Sequence, residues 1–134
     1  EIGKAWKINE GTDVSIFATG HLVWKALEAA EILSQKGISA EVINIHTIKP
    51  LDETAILESV RKTRCAVSAE KHQINGGLGD SVAQELARHF PAPQEFVAVN
   101  DSFGESGTPD QLMKKYRLEK ENIVEAALKV IGRK

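Results

Sequence analysis

The residues best able to do chemistry lie in one stretch. Glu70-Lys71-His72 sets a carboxylate, a cation and an imidazole side by side, and Asn75-Gly76-Gly77-Leu78-Gly79 follows almost at once. A strand, a glycine turn and a helix N-terminus form a geometry that binds phosphate, because free backbone N–H groups and the helix dipole both face the anion. The details weigh against that chemistry. The dinucleotide fingerprint needs a third glycine where Gly77-Leu78-Gly79-Asp80-Ser81-Val82 carries valine, and the loop lacks the Lys-Ser or Lys-Thr ending of a P-loop. Asp80, at the helix start, would repel a phosphate. Glycines that let a helix lie close on its strand are the better reading. Adjacent residues of a strand point to opposite faces, so Glu70, Lys71 and His72 suit an ion pair or an interface contact better than a converging catalytic group.

Other candidates are weaker. His21, His46, His72 and His89 are widely spaced, with no paired-ligand motif to hold a metal. His21, His46 and His72 do follow predicted strands, where open α/β sheets place ligands at the carboxyl ends. His89 falls toward the end of a surface helix. Cys65, flanked by apolar residues in a predicted strand, reads as core filling. Trp6 and Trp24 are divided evenly between burial and interface anchoring. No serine sits in a nucleophile elbow and no carboxylate pair is evident.

Composition narrows the class. The 134 residues suit one domain with a real core, and a net charge of −2 offers no basic footprint for nucleic acid. The single cysteine fits a reducing compartment, and no apolar run approaches the roughly 20 residues that span a bilayer. The chain begins at Glu1 rather than Met, inside what reads as structured sequence, as a fragment would.

The elements that would position these residues alternate between short apolar runs and helix-period stretches, which predicts an α/β fold with a mainly parallel sheet. Val14–Ala18, Ala40–Ile45, Cys65–Ala69 and Phe96–Val99 read as strands. Leu22, Val23, Ala26, Leu27, Ala30 and Leu33 recur at helical spacing until Gly37. After Pro50, Asp52 is placed to cap a helix bearing Ile56, Leu57 and Val60. The helix after the glycine loop directs Val82, Ala83, Leu86, Ala87 and Phe90 inward and stops at Pro91 and Pro93. Thr108-Pro109-Asp110-Gln111 starts a short helix ending near Tyr116, and a final helix carries Ile123, Val124, Ala127, Leu128 and Ile131. Glu119 is a poor N-cap at the boundary between those two. Lys4–Ile8 alternates as one further edge strand. Helices should cover both faces through right-handed crossovers.

From end to end, the order of segments resembles transketolase C-terminal domains. The stretches that carry this are Gly3–Trp6, Glu10-Gly11-Thr12-Asp13 through Gly20, Ile48-Lys49-Pro50-Leu51-Asp52, Glu70 through Gly79, and Asp101-Ser102-Phe103-Gly104-Glu105-Ser106-Gly107-Thr108-Pro109. Several also resemble deoxyxylulose-phosphate synthases and the β-subunits of 2-oxoacid dehydrogenases; the Phe-Gly-Glu-Ser segment favours transketolase. A ligand-sensing α/β module is the third reading. The resemblance implies a three-layer α/β/α domain spanning 1–134, with a five-stranded, mostly parallel mixed sheet and one antiparallel strand, for which the N-terminal strand is the candidate. It implies a cytoplasmic, homo-oligomeric parent enzyme of the pentose phosphate pathway that moves two-carbon ketol units between sugar phosphates. Thiamine diphosphate and Mg2+ would be held by pyrimidine and pyrophosphate domains, across a dimer interface, with no cofactor or catalytic group in this domain. Glu70, His72, Asn75, Gly76, Gly77, Asp101, Phe103 and Glu105 are then candidates for interdomain or subunit contacts.

Overall fold

A computed structural model describes residues 4–46, 48, 50–71, 77–99 and 109–134, the side chains of 99 and 109–118 excepted. Among these described residues five strands form one sheet: β1 (Trp6–Asn9), β2 (Val14–Ala18), β3 (Ala40–Asn44), β4 (Ala66–Lys71) and β5 (Gln94–Val99). Their order is β1-β3-β2-β4-β5. β1 runs antiparallel to β3, with Trp6 opposite Asn44 and an irregularity between Lys7 and Asn9. The other ladders are parallel. The implied mixed sheet, with its antiparallel N-terminal strand, is therefore what the chain forms.

The helices α1 (Leu22–Gln35), α2 (Glu53–Thr63), α3 (Leu78–His89) and α4 (Pro109–Ile131) divide between the two faces. Strand alternation explains the division, since successive side chains point to opposite sides. Val14, Ile16, Ala18, Val42, Val67 and Ala69 pack with Leu22, Ala26 and Leu33 of α1 and Ile123, Ala127 and Val130 of α4. Phe17, Ile43 and Ala66 pack with Ile56 and Val60 of α2 and Leu78, Val82 and Leu86 of α3. Central strand β2 is buried at every position, as a strand covered on both faces must be.

Local signals act as the residue types dictate. Gly37 ends α1 at φ +80°, in the left-handed region, and Asp52 caps α2 by accepting from the Ala55 N–H at 3.1 Å. Asp52 also accepts from the Ala5 N–H at 2.9 Å, tying the segment before β1 to α2.

Two helix readings need correction. α4 is one helix of 23 residues, not two. No glycine or proline interrupts 110–131, and Glu119 lies four residues before Ile123, so it occupies the core-facing stripe and is buried. A carboxylate on that stripe masks the periodicity, which is why it reads as a boundary. Leu128 is exposed while Val130 is buried. In α3, Ala87 faces solvent and Glu85 is buried instead. β4 begins one residue later than predicted and runs on through Glu70 and Lys71, which pair with Ala98 and Val99 of β5.

Candidate functional site

The carboxyl ends of β2 and β4 lie side by side, and their connections leave toward opposite faces: β2 leads to α1, β4 to α3. Such a reversal opens the crevice where α/β sheets receive ligands or partners. The Thr19 N–H donates to the Ala69 carbonyl at 3.3 Å across it. Gly20, at φ +60° with open space around its α-carbon, turns the chain into α1. His21 is the N-cap residue of α1 without capping it through its side chain, and is exposed. His46, beyond β3, is also exposed and meets the Trp6 ring edge-on, with centroids 5.2 Å apart.

Glu70 dominates the β4 side. Its Oε1 accepts from the Leu78 N–H and its Oε2 from the Gly79 N–H, both at 2.7 Å. Gly77 is the N-cap of α3 and has no side chain to offer, so a carboxylate from the preceding strand satisfies the first helical donors. That position is the one a phosphate would need, and the chain's own anion fills it. At Gly79 the close-packing reading holds: a β-carbon there would come within 2.5 Å of Phe96 Cδ2 and 3.0 Å of Ser68 Oγ. Gln94 bonds the same turn, donating to the Gly79 carbonyl at 3.0 Å and Ser68 Oγ at 3.1 Å.

At the opposite end of the sheet, Glu41 of β3 is buried and accepts from Lys62 Nζ of α2 at 2.5 Å and from the Gly11 N–H at 3.2 Å. Burial raises the Glu41 pKa, but bonds from Lys62, Ser59 and Gly11 outweigh it and hold the carboxyl below its ordinary value. The bond to Glu41 pushes Lys62 up. Ala5, Lys7, Ile43, Ala55, Glu58 and Ser59 line, with this pair, a cavity of about 340 Å³. Ser15 Oγ of β2 lies 2.5 Å from Ser59 Oγ and 2.6 Å from Thr63 Oγ1, a buried hydroxyl group joining β2 to α2. Cys65 fills the core as expected; burial raises its thiol pKa and its Sγ donates to the Asp13 carbonyl at 3.3 Å.

Of the sequence-predicted contact residues, Glu70 and Gly77 are brought together at the α3 N-terminus. His72, Asn75, Gly76, Asp101, Phe103 and Glu105 lie outside the described residues. His89, last residue of α3, stands 3.7 Å from Glu85. Both tryptophans are exposed, Trp6 at 64% and Trp24 at 71%, which decides the even choice against burial in this chain. Sequence reasoning missed Glu41 and Lys62; a charged residue inside the Ala40–Asn44 apolar run was the available signal. Among the described residues, no group of three His, Cys, Asp or Glu side chains could hold a metal ion, and no helix is long and apolar enough to cross a membrane.

Comparison with known proteins bears on this architecture directly. The family model described as "Transketolase, C-terminal domain" matches residues 3–123. The chain belongs to the transketolase C-terminal domain family. The 6-deoxy-6-sulfo-D-fructose transketolase subunit SqwH of a Clostridium species is 48% identical over 99% of this chain and 41% of its own length. A 1-deoxy-D-xylulose-5-phosphate synthase of Halothermothrix orenii is 35% identical over 97% of this chain and 21% of its own. Among solved structures, a split-gene transketolase, an "inactive beta4 tetramer", superposes with TM-score 0.87 at 43% identity, over 98% of this chain and 43% of that one. This transketolase C-terminal domain thus spans about two-fifths of the transketolase subunits it matches.

Proposed function

We propose that residues 1–134 are the C-terminal assembly domain of a transketolase whose parent enzyme moves two-carbon ketol units from a ketose phosphate to an aldose phosphate. The observation that carries this reading is the likeness, at TM-score 0.87 over 98% of the chain, to a subunit of a split-gene transketolase. The 48% identity to a transketolase subunit supports it.

The cofactor of the parent enzyme is thiamine diphosphate with Mg2+, which supplies the carbanion chemistry when bound. The described residues do not fit that group: the α3 N-terminus is filled by Glu70, and no metal-holding cluster is present among them. As the family resemblance implies, the cofactor is assigned to pyrimidine and pyrophosphate domains of the same enzyme or a partner subunit, and the isolated domain is expected to be inactive. The segments 72–77 and 101–105, which follow β4 and β5 in the sequence, are the proposed contacts to those domains, through His72, Asn75, Gly76, Gly77, Asp101, Phe103 and Glu105, with Glu70 just before the first, inside β4. The enzyme is assigned to the cytoplasm, as a homo-oligomer built on dimers, with sugar phosphates of the pentose phosphate pathway as its substrate class.

Sedimentation velocity of the chain with a cofactor-bearing transketolase subunit tests this reading. A new, faster complex is expected; two unchanged species at tens of micromolar would count against it. A second reading, the same domain in a 1-deoxy-D-xylulose-5-phosphate synthase, is favoured by the 35% identity over 97% of the chain. Formation of 1-deoxy-D-xylulose-5-phosphate by the reconstituted enzyme, rather than ketol transfer between two sugar phosphates, would select it.

A further inference from the structure

We infer that Glu70 is a positioning residue, which sets the β4–α3 junction for assembly by acting as the internal anion of α3 rather than by touching the partner; this rests on the assembly reading above. Both of its carboxylate oxygens are engaged at 2.7 Å, one with Leu78 N–H and one with Gly79 N–H. Turning Glu70 outward to a partner would break two charge-assisted bonds and leave helix donors without an acceptor, since Gly77 offers none. The bonds span the junction, running from the penultimate residue of β4 to the first two residues of α3. They hold Lys71 and Gly77, the two ends of the connection, at a fixed separation.

The first turn of α3 is pinned from its other side as well. Gly79 lies against Phe96 and Ser68, and Gln94 of β5 donates to its carbonyl at 3.0 Å. The start of α3 is thus held to β4 by Glu70 and to β5 by Gln94. Glu70 is the only charged member of that pair of ties, and its charge lies on the helix dipole where a carboxylate is favoured. Whatever the connection presents to a partner is presented from ends that Glu70 sets.

The test compares wild type, Glu70→Ala and Glu70→Gln in sodium chloride and in sodium formate at equal ionic strength, formate being a carboxylate small enough for the vacated position. The Ala variant is expected to lose roughly 5–10 °C in Tm. Hydrogen exchange at the Leu78 and Gly79 amides is expected to speed up about tenfold, and affinity for the cofactor-bearing subunit to weaken by about the same factor. Formate restores all three. Gln restores little, because its amide turns a donor toward one of the two N–H groups. Should the Ala variant not fold, the Gln variant, whose amide still fills the position, is compared with wild type without formate: faster exchange at Leu78 and Gly79 with weaker partner affinity is expected, and unchanged affinity overturns the proposal.

Unchanged partner affinity in the variants would overturn the proposal. So would formate restoring Tm and exchange but not affinity, which would make Glu70 a direct contact, or formate having no effect on stability. If wild type fails to bind the subunit, the assembly reading fails and takes the assembly role with it; the Tm and exchange measurements still decide whether the Glu70 anion fixes α3.

Discussion

Lys62 Nζ lies 2.5 Å from Glu41 Oε1, so the last turn of α2 is tied to β3 by a carboxylate that is 1% exposed. The two charges are unequal in exposure: Lys62 reaches water, Glu41 does not. Removing the lysine leaves a buried charge unpaired, so Lys62→Met is expected to cost about 1–3 kcal/mol, discounted from a fully buried pair for the exposed lysine. Glu41→Gln with Lys62→Met together should cost less than the sum of the single changes. Urea denaturation of the four proteins measures this.

The same pair sets a pH dependence. The folded pKa of Glu41 is lowered, so its stabilisation is complete above the ordinary carboxylate value of 4.5 and is lost as pH falls through the lower, folded value. Lys62 is raised, so its share is complete below 10.5 and is lost as pH rises above that. Stability differences between wild type and Glu41→Gln should be constant near neutrality and shrink on acidification below about pH 4.5. A gap that widened on acidification would contradict this assignment.

Gly11 and Gly79 look alike in sequence and should behave differently. A β-carbon at Gly11 would come 2.2 Å from the Ala40 carbonyl carbon and 2.4 Å from the Glu41 nitrogen, both backbone atoms that cannot move without shifting β3. Gly11→Ala is expected to cost about 3 kcal/mol or more, or to prevent folding. At Gly79 the nearest obstacle is the ring of Phe96, which is 52% exposed on an edge strand and can swing away, and the next is the Ser68 hydroxyl at 3.0 Å, a side-chain atom rather than backbone. Gly79→Ala should cost at most about 1 kcal/mol, because helix propensity returns roughly that amount, and Gly79→Ala with Phe96→Ala should relieve the clash. Thermal denaturation ranks the variants.

Asp52 accepts from Ala55 N–H and from Ala5 N–H, so one side chain both starts α2 and anchors the segment leading into β1. Asp52→Ala is expected to lose about 1–2 kcal/mol and to raise hydrogen exchange in β1 more than in β2. Asp52→Asn keeps an acceptor and should recover part of the loss.

Trp6 and Trp24 stand in water in this chain, so their fluorescence should be readily quenched by acrylamide, and Trp24→Ala should change stability by less than about 0.5 kcal/mol. A cofactor-bearing subunit that covers either one should reduce that quenching.

The strands and the first three helices are legible because each has a local signature: the apolar run Val14–Ala18, the helical spacing from Leu22 to Leu33, Gly37 as a stop and Asp52 as a start. Where a polar residue sits on a core stripe the local signature fails. Glu119 made one helix look like two, and Glu85 hid the inward face of α3 behind Ala87. The glycine loop shows the other limit. Its suitability for an anion was readable from glycines before a helix, but that the anion is Glu70 depends on β4 extending two residues past Ala69 and aiming a carboxylate back at Leu78 and Gly79. Such a bond joins residues eight and nine apart through tertiary geometry, and no spacing rule specifies it.

The central claim, that this chain assembles a transketolase whose chemistry lies on other domains, is tested most directly by a ketol-transfer assay with thiamine diphosphate and Mg2+. The chain is assayed alone, the cofactor-bearing region alone, and the two mixed. Activity that requires the mixture is the expected result; ketol transfer by this chain alone, or no gain on adding it to its partner, would contradict the account.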